Sequence, residues 1–353
     1  MKINLNEIKI SPIIDSVYRE KISDKEYFSE KYKDYISNSR LGLINPEQGG
    51  NPDKYWLGFN EDKTASLNLG SFIHCLILQP DEFYLVKDLD KPSSKLGMVI
   101  DEIKSFRKQG FTIYDSIIHA CNVVHYYENS ITNNRIKKII SSGFSYYINN
   151  KYENDEHALI PTSKERKVVE SCVNNLTANK QIQNLLKPID IWGDEILSFN
   201  EDAFFIDFNA THGENSCILK FKMKADNWTI DLENKIITLN DLKTTSHKLD
   251  QFMLSSFHYY RYFRQFSLYL FVILRYCEKE YGYNSDEWKY KCNVIVSETT
   301  GNNQCAIFPV SQDLLELGRQ EFCKLLKMVA YCEMYGYSNE YQFEYEKIRD
   351  TSI

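Results

Sequence analysis

Asp226, Asp241 and Lys243 are the residues whose types and spacing most readily suggest chemistry. From Cys217 the residues alternate with the period of a β-strand: Cys217, Leu219, Phe221, Met223 and Ala225 share an apolar face, and Lys220, Lys222, Lys224 and Asp226 share the other. A turn symmetric about Glu233 and Asn234 sets Asp226 opposite Asp241, with Cβ atoms about 5 Å apart. Lys243 then lies on the same face as Asp241. Like charges directly opposed across strands are destabilising, and a hard divalent cation held by carboxylate oxygens removes the conflict. On the plainer reading, Asp226 starts a turn and Asp241 is a solvated strand end.

Gln265 and Tyr269 follow at the i,i+4 spacing of a helix, with Arg261 one turn earlier on the same side. Such a face would look onto the sheet that carries the carboxylates. The same spacing also describes an exposed pair or a core tyrosine.

Elements able to position these groups can be read along the chain. Ile196 to Asn200, Ala203 to Phe208, Cys217 to Ile230 and Ile236 to Leu242 read as strands of an antiparallel meander. Leu249 to Glu280 reads as one long aromatic-rich helix, Cys292 to Glu298 and Gln304 to Phe308 as two more strands, and Ser311 opens a last helix ending near Gly336. This order predicts an α+β core over residues 191–353. Residues 1–190 read as mainly helical: Ser66 to Leu78 carries His74 before Pro80 ends it, and Ser163 to Lys187 bears an apolar stripe. Tyr126-Tyr127 and Tyr146-Tyr147 in that region fit either core packing or stacking on unpaired bases.

Composition bounds the classes. The 353 residues carry 42 Lys and Arg against 49 Asp and Glu, a net charge of −7, so no global field attracts nucleic acid or an anionic membrane. Nine cysteines, an odd number without a Cys-x-x-Cys pair, fit free thiols of a reducing compartment. The first residues lack the profile of a signal peptide, and the apolar run Leu268 to Leu274 is far short of the ~20 residues that span a bilayer. A cytoplasmic protein without a membrane segment is expected. Signatures of P-loop NTPases, zincins and α/β-hydrolases do not occur.

Five segments then stand in a telling order: Ser37-Asn38-Ser39-Arg40-Leu41; Gly70-Ser71-Phe72-Ile73-His74 with the residues following to Phe83; Lys222-Met223-Lys224-Ala225-Asp226; Asp241-Leu242-Lys243-Thr244-Thr245; and Gln265-Phe266-Ser267-Leu268-Tyr269. In order and rough spacing they resemble the PD-(D/E)xK nuclease superfamily, in the branch of RecE-like exonuclease VIII and RecB-type nuclease domains. The resemblance implies a restriction-endonuclease-like core, a central mixed sheet flanked by helices, with His74 contributed by the helical region. It implies that His74, Asp226, Asp241 and the Leu242 carbonyl bind metal and that Lys243 positions water and stabilises charge. Glu195 would be a further acidic contact, and Gln265 and Tyr269 would shape the DNA side of the site. Lys222, Lys224 and Arg261 would bind DNA, and Lys220, Lys222, Lys224 and Lys243 would give a local basic stripe that the whole-chain charge conceals. Ala225 replaces the proline of the motif, and Lys224 stands where arginine is commoner, keeping charge but losing bidentate phosphate contact.

The function implied is a Mg²⁺-dependent DNA exonuclease, with Mn²⁺ as a substitute metal, acting at duplex ends in recombination or phage DNA processing. A phage-encoded protein working in a bacterial host cell, a single-strand annealing partner and a homo-oligomer belong to the same implication. No iron–sulfur cluster is expected, because no closely spaced cysteine triplet is present. The alternatives are a structure-specific or restriction-like endonuclease, and a DNA-binding or assembly protein without turnover.

Overall fold

The computed structural model describes residues 2–58, 65–92, 94–128, 130–142, 146–147, 151–152, 154–189, 196–282 and 284–345. The chain forms two compact units, Met1–Thr64 with Asn174–Ile353, and Ala65–Val173. This division departs from two consecutive halves, 1–190 and 191–353. The reason is a strand, Lys9–Glu20, which joins the sheet of the larger unit.

That sheet has six strands whose spatial order follows the chain: β1 (Lys9–Glu20), β2 (Leu197–His212), β3 (Asn215–Asp231), β4 (Ile236–Thr245), β5 (Lys289–Glu298) and β6 (Cys305–Pro309). Every neighbouring pair is antiparallel except β4 with β5, so the sheet is mixed. A parallel neighbour cannot be reached by a tight turn and needs a crossover. Three helices matter for the site: α1 (Asn38–Ile44), N-capped by the Ser37 hydroxyl; α2 (Tyr262–Tyr281), which forms that crossover; and α3 (Gln312–Tyr335). Phe204, Ile206 and Phe208 of β2 and Leu219, Phe221 and Met223 of β3 form one core with Phe263, Phe266, Phe322 and Leu326 of α2 and α3. The alternation expected in β3 is therefore what buries the sheet's apolar face.

Three local expectations change. β1 escapes a reading by alternation because it is an edge strand with a register shift between Ile13 and Tyr18, where Pro12 is tolerated. β2 is one strand, not two; Glu201 takes φ 55° and the ladder resumes at Asp202 opposite Ala225. The long helix from Leu249 is interrupted: a short helix, Leu249–Phe252, runs into a π-turn, Met253–Phe257, and α2 starts only after Arg261 in the left-handed region at φ 57°. Arg261 is held there by ion pairs to Glu47 and Glu321, tertiary contacts that helix propensity cannot anticipate.

The smaller unit contains helices Ala65–Leu78, Ser94–Lys108, Ile113–Val123 and Thr132–Ser142 and a short parallel pair, Tyr84–Leu85 with Ala158–Leu159. Val99, Ile100, Ile103, Ile117, Cys121, Ile139 and Tyr146 make its core, so Tyr146 packs and is not a free ring, while Tyr127 is exposed. Among the described residues no helix is long and apolar enough to cross a membrane.

α2 and α3 touch at Gly318, where a Cβ would overlap the Phe263 carbonyl and the Ser267 hydroxyl. Gly318→Ala is therefore expected to lower stability by about 2 kcal/mol through overpacking. An unchanged urea midpoint would contradict this close approach.

Candidate active site

The two aspartates sit where the ladder between two central strands ends. β3 and β4 pair from Asp231 opposite Ile236 to Asn227 opposite Asn240, the register set by a turn centred on Glu233 and Asn234. Beyond that rung β3 continues to pair with β2, and β4 with β5. Asp226 and Asp241 are thus not a rung. Instead, Asp226 Oδ2 accepts the Leu242 backbone N–H at 2.8 Å, joining the strands through a side chain.

A row of buried amides fixes this point. Asn293 Nδ2 of β5 donates to Asn240 Oδ1 at 2.9 Å, and Asn240 Nδ2 donates to Asn227 Oδ1 at 2.8 Å. Asn227 Nδ2 in turn donates to Asn200 Oδ1 at 2.7 Å on β2. Four neighbouring strands are tied together immediately beside Asp226 and Asp241, and satisfied buried amides specify register strongly. Asparagine at these positions is the sequence signal, visible only once the strands are aligned.

Asp241 is held on both sides. Gln265 Nε2 donates to its Oδ1 at 2.7 Å, and Lys243 Nζ lies 2.5 Å from its Oδ2. The ammonium also sits 5.0 Å from the centre of the Tyr262 ring. Burial disfavours the Lys243 charge, but Asp241 and Asp226 outweigh it and raise its pKa, so the side chain is an ammonium at neutral pH. For Asp226, burial is the largest influence and raises its pKa, against the opposing pull of Lys243, the Leu242 N–H and Lys224. Tyr269, one turn beyond Gln265, has its hydroxyl pushed far up by burial and by the negative potential of Asp241, Asp226 and Glu201, so it remains a neutral donor.

Glu201 is the residue that sequence reasoning missed. It falls in the gap of the β2–β3 ladder between the rungs Asn200–Asn227 and Asp202–Ala225, as Asp226 does on β3, and their carboxylate oxygens come within 4.8 Å of one another. A β2–β3 turn centred on Gly213 and Glu214 would have pointed to it, as the next hairpin pointed to Asp241. Lys224 Nζ joins it at 2.9 Å and also pairs with Asp24. Burial lowers the Lys224 pKa, but Glu201 and Asp24 more than reverse this. Asp226 and Glu201 offer hard oxygen donors in a half-buried setting, a chemistry that suits Mg²⁺ or Mn²⁺.

Two of the expected residues, Lys222 and Arg261, are engaged with other partners. Lys222 does not join an exposed basic stripe: it is buried, donates to the Tyr27 carbonyl at 2.6 Å and lies over the Tyr27 ring. Arg261 faces Glu47 and Glu321. His74 is on helix Ala65–Leu78 of the smaller unit. Glu195 lies outside the described residues.

Burial, with Arg40 adding repulsion, lowers the Lys222 pKa to about 8. Its charged form is thus a cost to folding at neutral pH, and stability rises as pH climbs from about 8 toward the ordinary 10.5. Lys222→Met is expected to stabilise the protein at pH 7 by ~1–2 kcal/mol, with the gain fading by about pH 10. Urea unfolding at three pH values checks this; a destabilised variant would refute it.

No protein-family model matches this sequence, and no curated protein does. Among solved structures, a crystal structure from Eubacterium rectale titled "Putative exonuclease" aligns with a TM-score of 0.39 at 11% identity, over 85% of this chain and 81% of that one.

Proposed function

We propose that this chain is a metal-dependent deoxyribonuclease with a PD-(D/E)xK core, acting as an exonuclease at duplex ends. The observation that carries the reading is Asp241, two residues before Lys243 on a central strand, held by Gln265 and neighbouring the Asp226–Glu201 carboxylates. In this reading Asp226, Asp241, Glu201 and the Leu242 carbonyl hold Mg²⁺, with Mn²⁺ able to replace it. His74 is added as a nitrogen donor on the strength of its sequence motif. The ion, when bound, lowers the pKa of water and neutralises charge on the phosphate.

The chain's own groups have distinct tasks. Lys243, kept as an ammonium by its carboxylate neighbours, donates to a phosphate oxygen as negative charge builds there and does not act as the base. Gln265 fixes the orientation of Asp241. Tyr269 donates its hydroxyl proton in a hydrogen bond to the phosphate. Lys224 balances Glu201 and Asp24, and Glu195 and Arg261 remain candidates for contacts beyond this group. Hydrolysis places the water oxygen on phosphorus and breaks the bond to the 3′ oxygen, which leaves with a proton.

Linear duplex labelled at its 5′ or 3′ ends and closed-circular duplex, each with Mg²⁺ or EDTA, test the proposal. Mononucleotides from linear DNA only are expected. Nicked circles would favour the endonuclease reading, and no product from either DNA with Mg²⁺ would leave a binding or assembly protein. With a net charge of −7, binding to duplex without metal is expected to be weak and to fall steeply with salt. Nanomolar metal-free affinity at physiological salt would count against the site.

A further inference from the structure

The segment leading into α2 exposes large side chains in close succession: Leu254, Tyr259 and Tyr260 are 82%, 72% and 53% accessible. The rings form a connected series. Tyr259 meets Tyr260 edge to face at 4.9 Å between centres, Tyr260 meets Tyr262 at 5.7 Å, and Tyr262 lies 5.0 Å from the Lys243 ammonium. Aromatic contacts thus lead from solvent to the ammonium that holds Asp241.

The backbone presents these rings by construction. Met253–Phe257 is a π-turn, a rare form found often at functional sites. Arg261, a non-glycine residue at φ 57°, is kept in the left-handed region by its ion pairs to Glu47 and Glu321. Such a conformation persists only where its surroundings enforce it. Tyr259 and Tyr260 are therefore exposed at the outer end of the ring series that reaches the Lys243 ammonium.

We infer that Tyr259 and Tyr260 are a stacking platform for the unpaired bases of single-stranded DNA next to the phosphate bound at Lys243. This inference rests on the nuclease reading for its phosphate site and adds the substrate form: a single strand or a frayed end. Every base has a π-face, so such a platform is tolerant of sequence. It also accounts for DNA binding by a chain without a strongly basic surface, since stacking supplies affinity that a net charge of −7 does not.

The test titrates a single-stranded oligonucleotide containing 2-aminopurine with the full chain, in Ca²⁺ in place of Mg²⁺, and measures cleavage separately in Mg²⁺. The unaltered protein should quench the fluorescence by stacking. Tyr259→Ala with Tyr260→Ala should abolish the quench and weaken single-strand binding roughly ten-fold or more, and the double phenylalanine variant should retain both. Equal quench and affinity in the alanine variant would overturn the inference. Quenching lost in that variant, with no cleavage by the unaltered protein, would uphold the platform and sink the nuclease reading. A changed sedimentation coefficient with unaltered oligonucleotide binding would assign the rings to a second copy of the chain and overturn the platform.

Discussion

Lys243→Met is expected to abolish cleavage and to melt about 5 °C lower in EDTA, with Mg²⁺ restoring most of the stability and none of the activity. Lys243 is 17% accessible and Asp241 4%, so this is a largely buried ion pair. Removing one partner of such a pair leaves an uncompensated charge and typically costs ~3–5 kcal/mol; the residual exposure of Lys243 favours the lower end. The sign with pH follows from its raised pKa. The stability that Lys243 contributes is fully present below the ordinary lysine value and is lost only at alkaline pH. The deficit of the variant should therefore be constant across neutral pH. A divalent ion would neutralise the same carboxylates, and any ligand of the folded state stabilises by mass action, about 2.7 kcal/mol at a hundred times its Kd. Catalysis would remain lost by ~10³-fold or more, because a metal already present in the parent cannot replace the ammonium's bond to the phosphate. A variant that melts like the parent in EDTA, or keeps a tenth of its rate, would remove Lys243 from the site.

Glu201→Gln should lower the cleavage rate at least ~100-fold and raise the Mg²⁺ needed for half-maximal rate ten-fold or more. Glu201 and Asp226 present oxygens within 4.8 Å of one another, close enough to share a cation. Glu195→Gln, made in parallel, decides between the two acids: the one whose loss raises the metal requirement is the ligand, and Glu201 is expected to be it. Burial raises the Asp226 pKa. Protons therefore compete with metal above the ordinary carboxylate range, and the acid limb of the rate profile should lie there. In EDTA the sign for stability is opposite: an ionised Asp226 weighs against folding, so the metal-free protein gains stability as pH falls through its raised pKa. An acid limb at ordinary carboxylate values would show that Asp226 is not the controlling group.

The residues by themselves determined the local order of the site. Alternation along β3 put Asp226 with the lysines, and the symmetric turn at Glu233 and Asn234 fixed the register that brings Asp241 beside it. The i,i+4 spacing of Gln265 and Tyr269 placed both toward the carboxylates, and Gln265 does reach Asp241. These features are periodic or short-range, and a chain of one residue after another carries them directly.

What tertiary structure decided involves partners distant in sequence. Lys222 and Lys224 are indistinguishable in the alternation of β3, yet the segment around Tyr27 buries the first, and Asp24 with Glu201 claims the second. β1 has its place because an edge of the sheet was open to it. The break before α2, with its exposed tyrosines, depends on Glu47 and Glu321 gripping Arg261. Asp226 bonds the Leu242 N–H at the place where the β3–β4 ladder ends. Long-range charge pairing and burial depend on which segments meet, and that is a property of the folded chain alone.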